Sequence, residues 1–147
     1  MESRFPTRVD TAHIGLAGSS YGGAIALYTA IARPGHYGLL LLESPSLYIG
    51  DPALLHAIES VHTWPDRIYI GVGTNEGSTA DARHEMVADS RTFANLLAHH
   101  ASRTRTCLRA VPGAEHNEDA WRARLPAALA FVLGTGACPS APPDSVH

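Results

Sequence analysis

The sequence predicts an α/β fold: a three-layer arrangement in which a parallel sheet of about four strands carries helices on both faces. Short apolar, β-prone runs alternate with helix-length segments along most of the chain. The run Tyr37–Glu43 (Tyr-Gly-Leu-Leu-Leu-Leu-Glu) is continuously apolar, as in a strand covered on both faces. Ser20, Ser44, Glu76 and His116 each follow a run of this kind, and ligands bind open parallel sheets beyond the carboxyl ends of the strands.

Taken in order, Val9 to Ala17 reads as the first strand. Gly22 to Arg33 reads as a helix stopped by Pro34-Gly35. Tyr37 to Glu43 is the second strand, broken by Ser44-Pro45-Ser46. Pro52 to His62 is a helix with Asp51 as its N-cap and proline in its first turn. Arg67 to Gly73 is the third strand, followed by a polar loop, Thr74 to Ala80, and a long helix, Asp81 to Ala101. Thr104 to Val111 is the fourth strand, and Asn117 to Leu133 the last helix. Residues 1–133 therefore form one domain, and the Pro/Ala/Ser-rich segment 134–147 is expected to be a flexible tail.

Composition narrows the function classes. The chain has 147 residues, 45% hydrophobic and 17% charged, with a net charge of −3. No basic surface is offered to nucleic acid or anionic lipid. All 11 basic residues are arginine, which excludes a lysine nucleophile, a Schiff base or a P-loop lysine. Cys107 falls in an apolar run, where a buried thiol is expected. Cys138 lies in the tail, and neither has the C-x-x-C spacing of a metal or redox site. No stretch reaches the ~18 apolar residues of a membrane span. The N-terminus lacks the apolar core of a signal peptide, so the cytoplasm is the expected location.

Gly18-Ser19-Ser20-Tyr21-Gly22 has the form G-x-S-x-G, preceded by a β-prone run and followed by a small-residue helical run. That is the context of a nucleophile elbow, a tight turn that holds the serine hydroxyl above the sheet. Flanking glycines keep side chains out of the turn. The backbone N–H of Tyr21, the residue after the serine, is the candidate oxyanion donor.

A serine hydroxyl needs a base, and the base needs a carboxylate to orient it. Nine histidines are present. His13 falls inside the first strand, buried away from Ser20, and His36 at the opposite edge of the sheet. His56, His62, His84, His99 and His100 fall on helices, and His147 in the tail. His116 alone follows the last strand in a loop, as a base requires. Glu76, directly after the third strand, is the first candidate for the acid. Asp81 and Glu43 are alternatives, and helix capping or solvation would equally account for such carboxylates. Tyr21, Tyr48, Trp64 and Trp121 could line an aromatic pocket or pack in the core.

Ile14–Ala26 (IGLAGSSYGGAIA), Leu41–Tyr48 (LLESPSLY), Ile68–Gly77 (IYIGVGTNEG) and Gly113–Leu125 (GAEHNEDAWRARL) resemble the putative esterase family of α/β-hydrolases. That family includes siderophore (enterochelin-type) esterases, feruloyl esterases, the S-formylglutathione hydrolase group and mycolyltransferases, and the resemblance is to the enterochelin-type branch. The set His116, Asn117, Glu118, Trp121 and Arg124 discriminates better than the elbow. The resemblance implies Ser20 as nucleophile, His116 as base and Glu76 as acid. It also implies a serine esterase acting on a small-molecule ester, with no cofactor or metal. It covers the back half of the family's fold, whose earlier strands supply a second oxyanion donor. The first strand's free edge could then pair with a second copy as a homodimer. A catalytically impaired fragment, a binding module and an acyltransferase of the same fold are the alternatives.

Overall fold

The computed structural model describes residues 10–47 and 51–139. Four parallel strands lie side by side in chain order: β1 (Gly15–Ser19), β2 (Leu39–Glu43), β3 (Arg67–Gly73) and β4 (Arg105–Val111). The helices α1 (Tyr21–Ala32), α2 (Pro52–Ser60) and α3 (Ala80–His100) make the crossovers between them, and α4 (Glu118–Val132) follows β4. The expected α/β architecture is present.

Strand alternation divides the core. Leu40 and Leu42 of β2 and Ile68 and Ile70 of β3 are fully buried on one face, against Leu27 of α1, Leu54 and Ile58 of α2, and Phe93 and Leu97 of α3. Leu41, Tyr69 and Cys107 align across β2, β3 and β4 and point to the other face. There α4 brings Ala128, Phe131 and Val132. Both faces of β2 and β3 are covered, which is why these runs lack polar alternation. Each fully buried Leu or Ile contributes about 1.5–3 kcal/mol. Trp64 joins this core beside Phe93, with ring centroids 6.2 Å apart, so it lines no pocket at the rim.

β1 is different. Gly15 and Ala17 are exposed, and among the described residues no strand pairs with its outer edge. The strand also starts later than expected and runs on to Ser19. A 3-10 turn, Thr11–His13, precedes it, closed by the Ile14 N–H on the Thr11 carbonyl and by contact between the Asp10 and His13 side chains. His13 is therefore exposed in a turn and not buried in a strand. Val9 and Tyr48 lie outside the described residues.

Helix starts follow the sequence signals. The Asp51 carboxylate accepts the Ala53 N–H at 2.8 Å, with Pro52 at the first helical position. Thr79 caps α3 through the Ala82 N–H, and Asn117 caps α4 through the Ala120 N–H at 2.9 Å.

The cysteines correct the expectation of a free buried thiol. Cys107 and Cys138 form a disulfide, with Cα atoms 5.4 Å apart and a sequence separation of 31. Local spacing rules do not reach such a pair, because α4 returns the chain to the β4 side of the sheet. The segment after α4 is anchored accordingly. The Gly134 N–H bonds to Phe131 O, and the Thr135 and Gly136 N–H groups bond to Ala130 O. Residues 134–139 of the expected flexible tail are thus held in place, and 140–147, with His147, lie outside the described residues.

Candidate active site

Ser20 sits between the end of β1 and the start of α1, with φ 54° and ψ −125°. Positive φ at a non-glycine residue costs about 1–3 kcal/mol and persists only where neighbours enforce it. Here the Ser20 N–H bonds to the Glu43 carbonyl at 2.9 Å. The Ser20 carbonyl accepts from the N–H groups of Gly23, Ala24 and Ser46. Glycine is required at Gly18, where a Cβ would strike the Gly22 backbone, and at Gly23, where it would meet Pro45 at 2.9 Å. At Gly22 a Cβ would meet nothing within 4 Å, so that glycine of the pattern is not enforced by packing.

The loops after β3 and β4 are zipped together. The Thr74 N–H bonds to Val111 O and the Asn75 N–H to Ala114 O, both at 3.0 Å. The Thr74 hydroxyl accepts the Gly113 N–H at 2.8 Å. This zipper aligns Glu76 with His116. The Nδ1 of His116 lies 3.0 Å from Glu76 Oε2, and its Nε2 lies 2.8 Å from Ser20 Oγ. One imidazole thus bridges the serine hydroxyl and a fully buried carboxylate. Trp121 packs edge-on against that imidazole, with centroids 5.2 Å apart and planes at 85°.

The other oxygen of Glu76, Oε1, accepts from the Gly73 N–H and from the Ser44 hydroxyl at 2.6 Å. Ser44 Oγ in turn accepts from Trp121 Nε1 at 2.9 Å and from Arg124 at 3.1 Å. Arg124 donates from Nε to Glu43 Oε2 at 2.7 Å, both side chains being buried. Burial pushes the Glu43 carboxyl above its usual range, with Arg124 pulling it partly back. Glu43 is therefore taken up by Arg124, and Asp81 is an exposed first-turn carboxylate of α3. Of the three candidate acids, Glu76 is the one at the imidazole. The sequence analysis set Ser44 at the ligand-binding edge, Trp121 in a pocket or the core, and Arg124 in the family-like set, but linked none of them to Glu76. Their signal was the i, i+3 spacing of Trp121 and Arg124 on α4, facing a serine that ends an unbroken apolar strand.

Tyr21 opens α1, with its side chain 66% exposed. Its backbone N–H belongs to the first turn, where amides lack acceptors within the helix. Two depressions meet near Ser46 and Leu47. A groove of about 640 Å³ runs along α1 past Tyr21, Ile25 and Tyr28. A pocket of about 330 Å³ between Leu47, Gly77 and Met86 reaches His116 and Glu76. Among the described residues, no helix is long and apolar enough to cross a membrane.

Comparison with solved structures gives the same fold at low sequence identity. Ferric enterobactin esterase (fes) from Salmonella typhimurium superposes with a TM-score of 0.59 at 18% identity, over 86% of this chain and 31% of that one. A predicted CIB-like hydrolase from Thermoplasma acidophilum superposes with a TM-score of 0.51, also at 18% identity, over 85% of this chain and 49% of the other. The chain thus spans less than half the length of either. A search of the curated proteins found no match. The family model described as "Putative esterase" matches residues 1–132, and the chain belongs to that family.

Proposed function

We propose that the chain is a serine esterase that cleaves a carboxylic ester through an acyl-enzyme. The observation that carries this reading is the unbroken path Ser20 Oγ to His116 Nε2, His116 Nδ1 to Glu76 Oε2, at 2.8 and 3.0 Å. His116 takes the hydroxyl proton as Ser20 Oγ attacks the ester carbonyl carbon. The tetrahedral oxyanion is stabilised by the Tyr21 N–H at the start of α1. The intermediate collapses, the C–O bond to the alcohol breaks, and the alkoxide leaves with the proton held on His116. Water, deprotonated by His116, then attacks the acyl-enzyme and releases the acid and free Ser20. Glu76 keeps its negative charge and stabilises the imidazolium at both stages.

The 330 Å³ pocket beside His116 suits one arm of a small ester, and the apolar groove along α1 suits the other. A second reading, a module that binds esters without turnover, is favoured by the openness of the rim, where Tyr21 and Ile25 are each 66% exposed. Hydrolysis of p-nitrophenyl acetate by the purified chain separates the two. Turnover that falls about 10³-fold or more in Ser20→Ala, with an unchanged thermal midpoint, is the expected result. Turnover equal in wild type and Ser20→Ala would remove the esterase reading.

A further inference from the structure

We propose that Ser44 and Trp121 are positioning residues that fix the orientation of the Glu76 carboxylate, and so its hold on His116 Nδ1, through a hydrogen-bond chain whose direction is forced. The catalytic consequence rests on the esterase reading above; the geometry does not. An indole N–H and a guanidinium can only donate hydrogen bonds. Trp121 Nε1 and Arg124 both point at Ser44 Oγ, at 2.9 and 3.1 Å. They occupy the two lone pairs of that hydroxyl, so its single proton is driven to Glu76 Oε1, 2.6 Å away. The Gly73 N–H donates to the same oxygen. Oε1 is then filled by two donors, and Oε2 is left facing His116 Nδ1 at 3.0 Å.

An ionised carboxylate only accepts, so Nδ1 is assigned the imidazole proton. The lone pair of Nε2 is thereby left toward Ser20 Oγ, as proton abstraction requires. Trp121 acts a second time, because its edge-on packing against His116 restrains rotation of the imidazole.

The backbone gives an independent indication. Ser20 and Ser44 are the two non-glycine residues with positive φ among the described residues, and Ser44 stands at φ 47°. Glycine would adopt that conformation without strain. A serine there, fully buried, is explained by the use of its hydroxyl.

The test compares wild type with Ser44→Ala, Ser44→Gly and Trp121→Phe. NMR of labelled histidine side chains reads the tautomer of His116 and the Nδ1 proton it shares with Glu76, and kinetics on p-nitrophenyl acetate read the consequence. Wild type is expected to hold the Nδ1-protonated form with a slowly exchanging proton, and the three variants to exchange that proton with solvent at least about tenfold faster. In Ser44→Ala, kcat should fall about tenfold with KM within about twofold. Ser44→Gly relieves the backbone strain, so it should be at least as stable as Ser44→Ala yet lose as much kcat. An unchanged exchange rate of the Nδ1 proton in all variants, or losses that track thermal stability instead of the hydroxyl, would overturn the proposal. Should Ser44→Ala not fold, Trp121→Phe decides, since it removes the indole donor while keeping an aromatic ring beside His116. Absence of Ser20-dependent turnover in wild type would sink the esterase reading, while the NMR comparison would still decide this one.

Discussion

Glu76 and Tyr21 flank Ser20 and are held in opposite ways. Behind the serine, Glu76, Ser44, Arg124 and Glu43 are buried and joined by hydrogen bonds between 2.5 and 3.1 Å. In front, Tyr21, Ile25 and Tyr28 of α1 are 48–66% exposed and line an open groove. The difference teaches which part of the rim is built for precision. On the proposed esterase reading, groups that direct a proton must be fixed before the substrate arrives, and burial in a hydrogen-bonded network does that. A surface that meets substrate has no such need and remains accessible.

The buried side should break hardest. Arg124→Met leaves Glu43 buried without its partner and is expected to cost about 3–5 kcal/mol in urea unfolding. The double variant Glu43→Leu/Arg124→Met should recover much of that loss; no recovery would show that Arg124 acts through packing alone. Next comes the clasp on the α4 face. Cys138→Ala opens the loop closed by the disulfide and should cost about 3 kcal/mol. A thermal midpoint insensitive to reductant in wild type would contradict it.

Tyr69 sharpens the comparison by titration. Burial, and then the charge of Glu43, push its phenol from 10.0 up to about 12. The charge of Arg109 pulls the other way, although the Tyr69 hydroxyl makes no hydrogen bond of ordinary geometry. The folded value lies above the unfolded one, so this contribution to stability is complete below pH 10.0 and lost as pH rises through about 12. Tyr69 should ionise at about pH 12 in an ultraviolet titration, and Tyr69→Phe should flatten the alkaline fall in stability. Smallest is the effect on the open side, where Ile25→Ser should change unfolding free energy by less than about 0.5 kcal/mol. A larger loss would mean that this groove is part of the core.

Local chemistry made much of this legible. Strand β3 was placed residue for residue, because a covered strand must be apolar without interruption. The cap Asp51 marked a helix start through the need of first-turn N–H groups for acceptors. β1 was misplaced because a 3-10 turn built on Asp10 and His13 leaves no period of its own. The disulfide was missed because its partners are 31 residues apart, beyond any local pattern.

The succession of strands and helices and a short field of candidates, Ser20, His116 and three carboxylates, were decided along the chain itself, since periodicity, turns and caps act over a few residues. Which carboxylate meets His116 was decided in space. The zipper between the loops after β3 and β4 carries Glu76 across 40 residues to the imidazole, while Arg124 reaches back 81 residues to engage Glu43. Side chains so distant in sequence leave no spacing rule to read, and only the close packing of α4 on the sheet brings them together.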